Sequence, residues 1–389
     1  MNPESSLSHW IGNSTAFPIL NRWHFFNHAG VSPLPSFVTT AMRKFLNEAE
    51  SAGYLGTHWY QDIEALRHSA AKLINAHPEE IAFVKNTSEG ISIVANGIDW
   101  QWGDRIVSTS VEYPANIYPW MEVVRTRGAK LIMVEEETDE KGHRAVPIDK
   151  ILHEAADPKT KLVAISHVEY ASGQRHNLAR IGAFCHEHKK MLCVDAIQSL
   201  GVLPIDVEAM HIDFLSADGH KWLLGPEGAG IFYCKRKWIE HTRPLMFGWM
   251  NVVDALDYGN YNFSLRPDAG RFECGSHNVI GLHGLKAAVE FLHTIGTESI
   301  ANRLHHLTGE LVTGLIDKGY SVLSPRHLGE WSGIVSFTSP TLKHDEIFRT
   351  LRRDHHIEIA LREGRLRVSP HFYNTSEQIH DLITALPDH

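Results

Sequence analysis

The chain is short of the residues that would mark it as a secreted, membrane-spanning or nucleic-acid-binding protein. Only four of its 389 residues are cysteine: Cys185, Cys193, Cys234 and Cys274. They lie in apolar or motif-rich segments without paired metal spacing, which argues against a disulfide framework and predicts reduced thiols. No run approaches the roughly 20 apolar residues needed to cross a bilayer, and Met1 to Trp10 has neither the basic nor the apolar stretch of a secretion signal. A cytoplasmic location is the expectation. Positive charge is scarce as well: 37 Lys and Arg stand against 46 Asp and Glu, a formal net charge of -9, so neither nucleic acid nor a membrane surface is expected as a partner. Repeats, low-complexity stretches and long linkers are missing, so the lobes should pack closely. The one excess is histidine, 27 in all. Yet His186 and His188 beside Glu187, His305–His306 and His355–His356 form no convincing zinc cage, because adjacent helical residues do not face one another. No metal site is expected.

What is present is an ordinary apolar fraction, 43%, arranged in an alternating rhythm. From about Pro35 to Arg303 short apolar runs read as buried strands: Ile81–Val84, Arg105–Ser108, Lys130–Val134, Leu162–Ile165, Met191–Val194, Phe214–Ser216 and Gly228–Tyr233. Between them Ile63–Ala76, Ile117–Arg127 and Arg180–Lys189 carry helical periodicity. This pattern predicts an α/β fold with a mostly parallel sheet covered by helices on both faces. From about Thr297 the rhythm changes. A long helix to Lys318, strands at Tyr320–Leu323 and Gly333–Phe337, a helix at Glu346–Asp354, a hairpin at Ile357–Arg367 and a closing helix at Ser376–Leu386 predict a small α+β domain. The expected division is an N-terminal arm over residues 1–20, a large domain over 21–296 and a small domain over 297–389.

The chemistry concentrates around Lys221, twenty-six positions beyond Asp195. A lysine that must act as a nucleophile near neutral pH is suited to a Schiff base with an aldehyde cofactor. A carboxylate ending a buried strand can hold a protonated ring nitrogen, as pyridoxal phosphate requires in its role of electron sink. Gln198, projecting from the same sheet edge, is placed to donate to the cofactor's phenolic oxygen. Thr87 and Ser88 open a helix after the strand Ile81–Val84, where hydroxyls and free amides make a phosphate cradle; a plain capping motif remains the alternative. His220 offers a further phosphate donor. Asp218 has no assigned role, because an anion near a phosphate is unfavourable unless it orients another donor.

Asn86–Gly90, Glu112–Asn116, Asp195–Gln198, Ala217–Lys221 with Gly225–Pro226, and Arg271–Ser276 together resemble the class V aminotransferase family, over nearly the whole chain from Phe26–Gly30 to Phe372–Asn374. The resemblance implies the fold type I architecture of pyridoxal 5'-phosphate enzymes, with Lys221 as Schiff-base lysine, Asp195 and Gln198 as ring contacts, and Thr87, Ser88 and His220 as phosphate ligands. It also implies that Ser276 reaches the phosphate of a neighbouring subunit in a homodimer with shared active sites, and that Arg367, with its planar fork, grips the substrate α-carboxylate. His28 is placed beside it as substrate-binding. Tyr113 is the expected stacking residue, Tyr170 stands where the family usually has asparagine near the phenolic oxygen, and Trp249 resembles an indole that serves the cofactor across the interface.

One departure is chemical. The family's desulfurases carry a nucleophilic cysteine on a loop before the carboxylate arginine, but Ile357–Leu366 has no cysteine and is too short for that loop. The sequence therefore resembles an isopenicillin N epimerase-like or kynureninase-like branch. The expected activity is that of a pyridoxal phosphate enzyme acting on an α-amino acid, most simply an aminotransferase. A β-eliminating C–S or kynureninase-like lyase and an amino-acid epimerase are the alternatives, and a non-catalytic pyridoxal phosphate-binding protein comes last.

Overall fold

A seven-stranded sheet organises the computed structural model, which describes residues 7–388; the first six residues of the expected N-terminal arm lie outside the described residues. In chain order the strands are β1 (Ile81–Val84), β2 (Arg105–Thr109), β3 (Lys130–Val134), β4 (Thr160–Ser166), β5 (Met191–Asp195), β6 (Phe214–Asp218) and β7 (Gly230–Cys234). They lie in the order β1-β7-β6-β5-β4-β2-β3, all parallel except β7, which runs antiparallel to both neighbours. Every one of these strands overlaps an apolar run that predicts it, with ends that differ by up to two residues. Strands covered on both faces read as continuous hydrophobic segments rather than alternating ones.

The two faces of the sheet feed separate cores, and alternate residues of one strand divide between them. Val163 and Ile165 of β4 and Leu192 and Val194 of β5 enter one core, with helices that include Trp59–Leu73, Leu178–Glu187 and Val279–Ile295. Leu162, Ala164, Met191 and Cys193 enter the other, against Ile91 and Val94 of the helix Thr87–Gly97 and Trp120 of Tyr118–Arg127. That first helix presses close on β6: a Cβ at Gly90 would stand 2.2 Å from Ser216 Oγ. Two long helices are not delimited by periodicity. Val279–Ile295 buries nine residues around much of its girth, which blurs the 3.6-residue stripe, whereas Ser36–Ala52 fully buries only Val38.

A four-stranded antiparallel sheet, in the order Ser321–Val322, Val335–Thr338, Arg365–Val368, Ala360–Arg362, builds the small lobe. Its core includes Leu307, Leu311, Leu351 and Leu366. Helix Thr297–Asp317 serves both lobes, since its Ile300 and Leu304 belong to the large core and its Leu307 to Leu315 face the small one. Phe26 also joins the small core, and His24–Phe25 pairs in parallel with Ile357–Glu358. The N-terminal segment is thereby tied to the strand that precedes the hairpin carrying Arg367. Among the described residues no helix is long and apolar enough to cross a membrane.

Candidate active site

A cavity of about 610 Å³ opens beyond the carboxyl ends of β5 and β6, between the two lobes, where open α/β sheets place their ligands. Asp195, the last residue of β5, is buried on its floor, and its Oδ1 accepts from Ile197 N at 3.0 Å. Burial pushes this carboxyl up to about 6, while the nearby Lys221 amine pulls the other way. Lys221 follows β6 in a loop fastened to the N-terminal segment: Ser32 Oγ donates to Lys221 O at 2.6 Å and Ser32 N to His220 O at 2.8 Å. Burial brings the ammonium down to about 8; Asp195 resists this and Arg367 adds to it. Lys221 Nζ lies 5.5 Å from the centre of the Tyr113 ring. Gln198 has a fixed amide, because its Oε1 accepts from Trp222 Nε1 at 2.8 Å and its Nε2 donates to Ala29 O at 3.1 Å. One amide proton is left over.

At one end of the cavity the helix Thr87–Gly97 begins, capped by Asn86 Oδ1, which accepts from Glu89 N at 3.0 Å. Thr87 Oγ1 accepts from Asp218 N at 3.0 Å, so its own hydroxyl proton stays free. His220 Nδ1 stands 2.9 Å from Asp218 Oδ2, which leaves Nε2 as the second ring nitrogen. Asp218 thus sets a carboxylate beside the His220 ring, the kind of group that can orient a donor, and its other oxygen accepts from Gly219 N at 2.7 Å.

Arg367 lines the opposite end. It is 1% exposed, yet its guanidinium meets only neutral acceptors, Tyr170 O at 2.8 Å and Asn27 Oδ1 at 3.2 Å, and its buried Nε has no partner. Burial, reinforced by Arg362, lowers its pKa to about 9. A buried cation without a protein carboxylate is expensive, and an anionic ligand is its natural complement.

Of the residues singled out by sequence, Thr87, Tyr113, Tyr170, Asp195, Gln198, His220, Lys221 and Arg367 share the walls of this one cavity. Ser88 is exposed on the first turn beside Thr87 and does not line it. His28 does not reach it either. It is fully buried, with Nδ1 2.8 Å from Ser369 O and Nε2 2.5 Å from Tyr373 OH, so both ring nitrogens are engaged behind the wall. Tyr170 lines the cavity, but its hydroxyl donates to Glu363 in the small-lobe hairpin and is not free for a ring oxygen. Trp249 and Ser276 border two other depressions. Sequence reasoning missed Asn27 and Arg362 as wall residues; Asn27 sits inside a recognised motif segment, and Arg362 stands beside Arg367 in the hairpin. Cys185, Cys193 and Cys234 are buried away from the cavity, and Cys274 belongs to the Ser276 depression.

An aldehyde cofactor bearing a phosphate finds complementary groups here: an amine near neutrality, a buried carboxylate with Oδ2 unspent, spare hydroxyl and amide protons, and a helix N-terminus. Residues 24–382 match the family model for aminotransferase class-V. The chain belongs to the class V aminotransferase family. It is 30% identical to a probable cysteine desulfurase of Pyrococcus abyssi over 95% of both chains, and 32% identical to one of Methanothermobacter thermautotrophicus over 93% of both. Its fold is similar to the apo cysteine desulfurase of Thermococcus onnurineus NA1, with TM-score 0.86 and 28% identity, covering 99% of this chain and 97% of that one. It is similar also to the cystine C-S lyase C-DES in complex with its reaction product cysteine persulfide, with TM-score 0.86 and 26% identity, covering 95% and 98%. A variant of C-DES carries glycine linked covalently to the pyridoxal phosphate cofactor. This class V protein is a pyridoxal phosphate-dependent enzyme. The epimerase-like or kynureninase-like branch suggested by the missing loop cysteine is not supported, because these relatives are desulfurases and a C–S lyase. The missing cysteine concerned one catalytic group, whereas kinship is spread over the whole chain.

Proposed function

We propose that this class V enzyme is a β-eliminating C–S lyase acting on an L-cysteine derivative whose sulfur leaves the β-carbon. The observation that carries the reading is a cavity that combines the amine of Lys221 and the unpaired guanidinium of Arg367 with no thiol. Without a cysteine beside the substrate, sulfur has no protein nucleophile to receive it and must depart with its own electron pair. The likeness to C-DES, whose name is that of a cystine C–S lyase, supports the same reading.

Arg367 binds and orients the α-carboxylate through its fork, and Asn27 and Tyr170 O keep that fork from turning. Lys221 Nζ takes the α-proton, a task suited to an amine near neutrality. Asp195, Gln198, Thr87 and His220 hold the cofactor, which supplies a sink for the electron pair left on the α-carbon. The Cβ–S bond then breaks, sulfur takes the bonding pair, and the released 2-aminoacrylate is hydrolysed by water to pyruvate and ammonia.

Trp249 and Ser276 enter this scheme through a second copy of the chain. They border a loop with exposed Phe247, Leu256, Tyr258, Tyr261 and Phe263, an apolar patch that a homodimer interface would cover.

The holoenzyme given L-cystine, L-cysteine and S-alkyl cysteines in turn should release pyruvate, ammonia and a sulfur product in equal amounts. Alkylation of Cys274 should leave the rate unchanged. Alanine in place of pyruvate, or a rate lost on alkylation, would refute the elimination reading. A keto acid formed only with an amino acceptor would restore the aminotransferase.

A further inference from the structure

We propose that Asp139, His143 and His327 form a divalent metal site, best suited to Zn2+, that fastens the small lobe to the large one. The site is separate from the catalytic cavity, none of whose walls these residues form. It does not depend on the lyase reading.

The first two ligands come from a single tight loop. Glu137–Thr138 pairs antiparallel with Arg144–Ala145, and between them the chain turns at Gly142, whose φ of 86° suits glycine. Asp139 Oδ1 accepts from both Lys141 N and His143 N at 2.8 Å. Those two backbone donors occupy one oxygen and leave the other, Oδ2, as a single fixed ligand atom, the kind of outer support that metal-bound carboxylates show. The third ligand comes from far along the chain. His327 lies on the small-lobe loop between Ser321–Val322 and Val335–Thr338.

Oδ2 stands 2.9 Å from His143 Nδ1 and 3.4 Å from His327 Nε2, and all three ligand atoms fall within 4.8 Å of one another. Tetrahedral zinc with bonds of about 2.0–2.1 Å separates its ligand atoms by roughly 3.3 Å, so the three are spaced for one ion. The two imidazoles do not stack: their planes lie at 87° with centres 5.9 Å apart. Two imidazoles and a carboxylate are a borderline donor set that suits Zn2+ rather than Ca2+ or Mg2+. Solvent reaches Asp139 and His327, so water can fill the fourth position.

The surroundings define the role. Arg144 N donates to Leu323 O at 2.8 Å, and Arg175 N to Glu330 O at 2.8 Å. Glu136 pairs with Arg144 at 2.5 Å and with Arg365 at 3.1 Å. The loop that carries His327 and the strand that carries Arg365 are therefore already docked on the hairpin, and an ion would lock that seam two residues from Arg367.

The test uses chelator-stripped, cofactor-loaded full-length protein dialysed against Zn2+. Wild type should retain one equivalent more than His327→Ala and Asp139→Asn, the latter keeping the Oδ1 acceptor while losing the charge. His306→Ala, an exposed histidine elsewhere, should bind as wild type does. Zn2+ should raise the melting temperature of wild type by several degrees and leave that of His327→Ala unmoved. No tightly held zinc in wild type, or equal retention by all four proteins, overturns the site. Binding that depends on His327 without a thermal shift overturns its role as a fastener.

Discussion

Replacing Arg367 by Met keeps a long apolar stem and removes the charge, and it should move stability and activity in opposite directions. At about 1.4 kcal/mol per tenfold change in proton affinity, lowering the guanidinium from 12.5 to about 9 corresponds to roughly 5 kcal/mol of unfavourable burial at neutral pH. Losing its two hydrogen bonds to Tyr170 O and Asn27 Oδ1 costs roughly 1 kcal/mol each, and local relaxation takes up part of the rest. Arg367→Met should therefore be stabilised by about 1–3 kcal/mol in urea unfolding. Catalysis should suffer, because two charge-assisted bonds to a carboxylate are worth roughly 1.5–3 kcal/mol each. At about 1.4 kcal/mol per tenfold, kcat/KM should fall by roughly 10²–10⁴. A variant destabilised by about 2 kcal/mol or more that kept kcat/KM within tenfold would show that Arg367 is a structural bridge and not a carboxylate site.

Cofactor uptake by the apoprotein needs the free amine of Lys221, which is protonated below its value of about 8 and free above it. The uptake rate should rise about tenfold per pH unit below 8 and level off above; a rate still climbing at pH 10 would refute the depressed value. Asp218→Asn keeps an acceptor for Gly219 N but removes the charge facing His220, and should raise the Kd for pyridoxal phosphate by about tenfold. The same substitution in a His220→Asn background should then add little, and an unchanged Kd would remove Asp218 from its orienting role. Leu256→Asp with Tyr261→Asp puts charge into the exposed apolar loop. Sedimentation should show monomers with much reduced turnover, and an unaltered dimer would place the interface elsewhere.

Much of the site was legible because its residues end buried strands or open helices. Asp195 closes Met191–Asp195, Thr87 opens Thr87–Gly97, and Lys221 follows Phe214–Asp218, so local periodicity alone put their side chains at one sheet edge. His28 shows where this reasoning fails. It lies one residue from Asn27, which lines the cavity, but strand-like chain sends neighbouring side chains to opposite sides, and only packing against Tyr373 and Ser369 shows which is which. Trp249 and Ser276 border other depressions of the single chain, because the role across an interface that the resemblance implies for them takes a second copy.

By itself the sequence determined the α/β sheet, the lysine and carboxylate at its edge, and the absence of a thiol in the hairpin before Arg367. These follow from local apolar runs and residue chemistry, which each segment carries with it. Tertiary structure alone decided that Asn27 braces Arg367 from 340 residues away, and that His327 meets Asp139 across the lobes. Those are contacts between distant segments, fixed by how the two lobes close on each other, and no spacing along the chain encodes them.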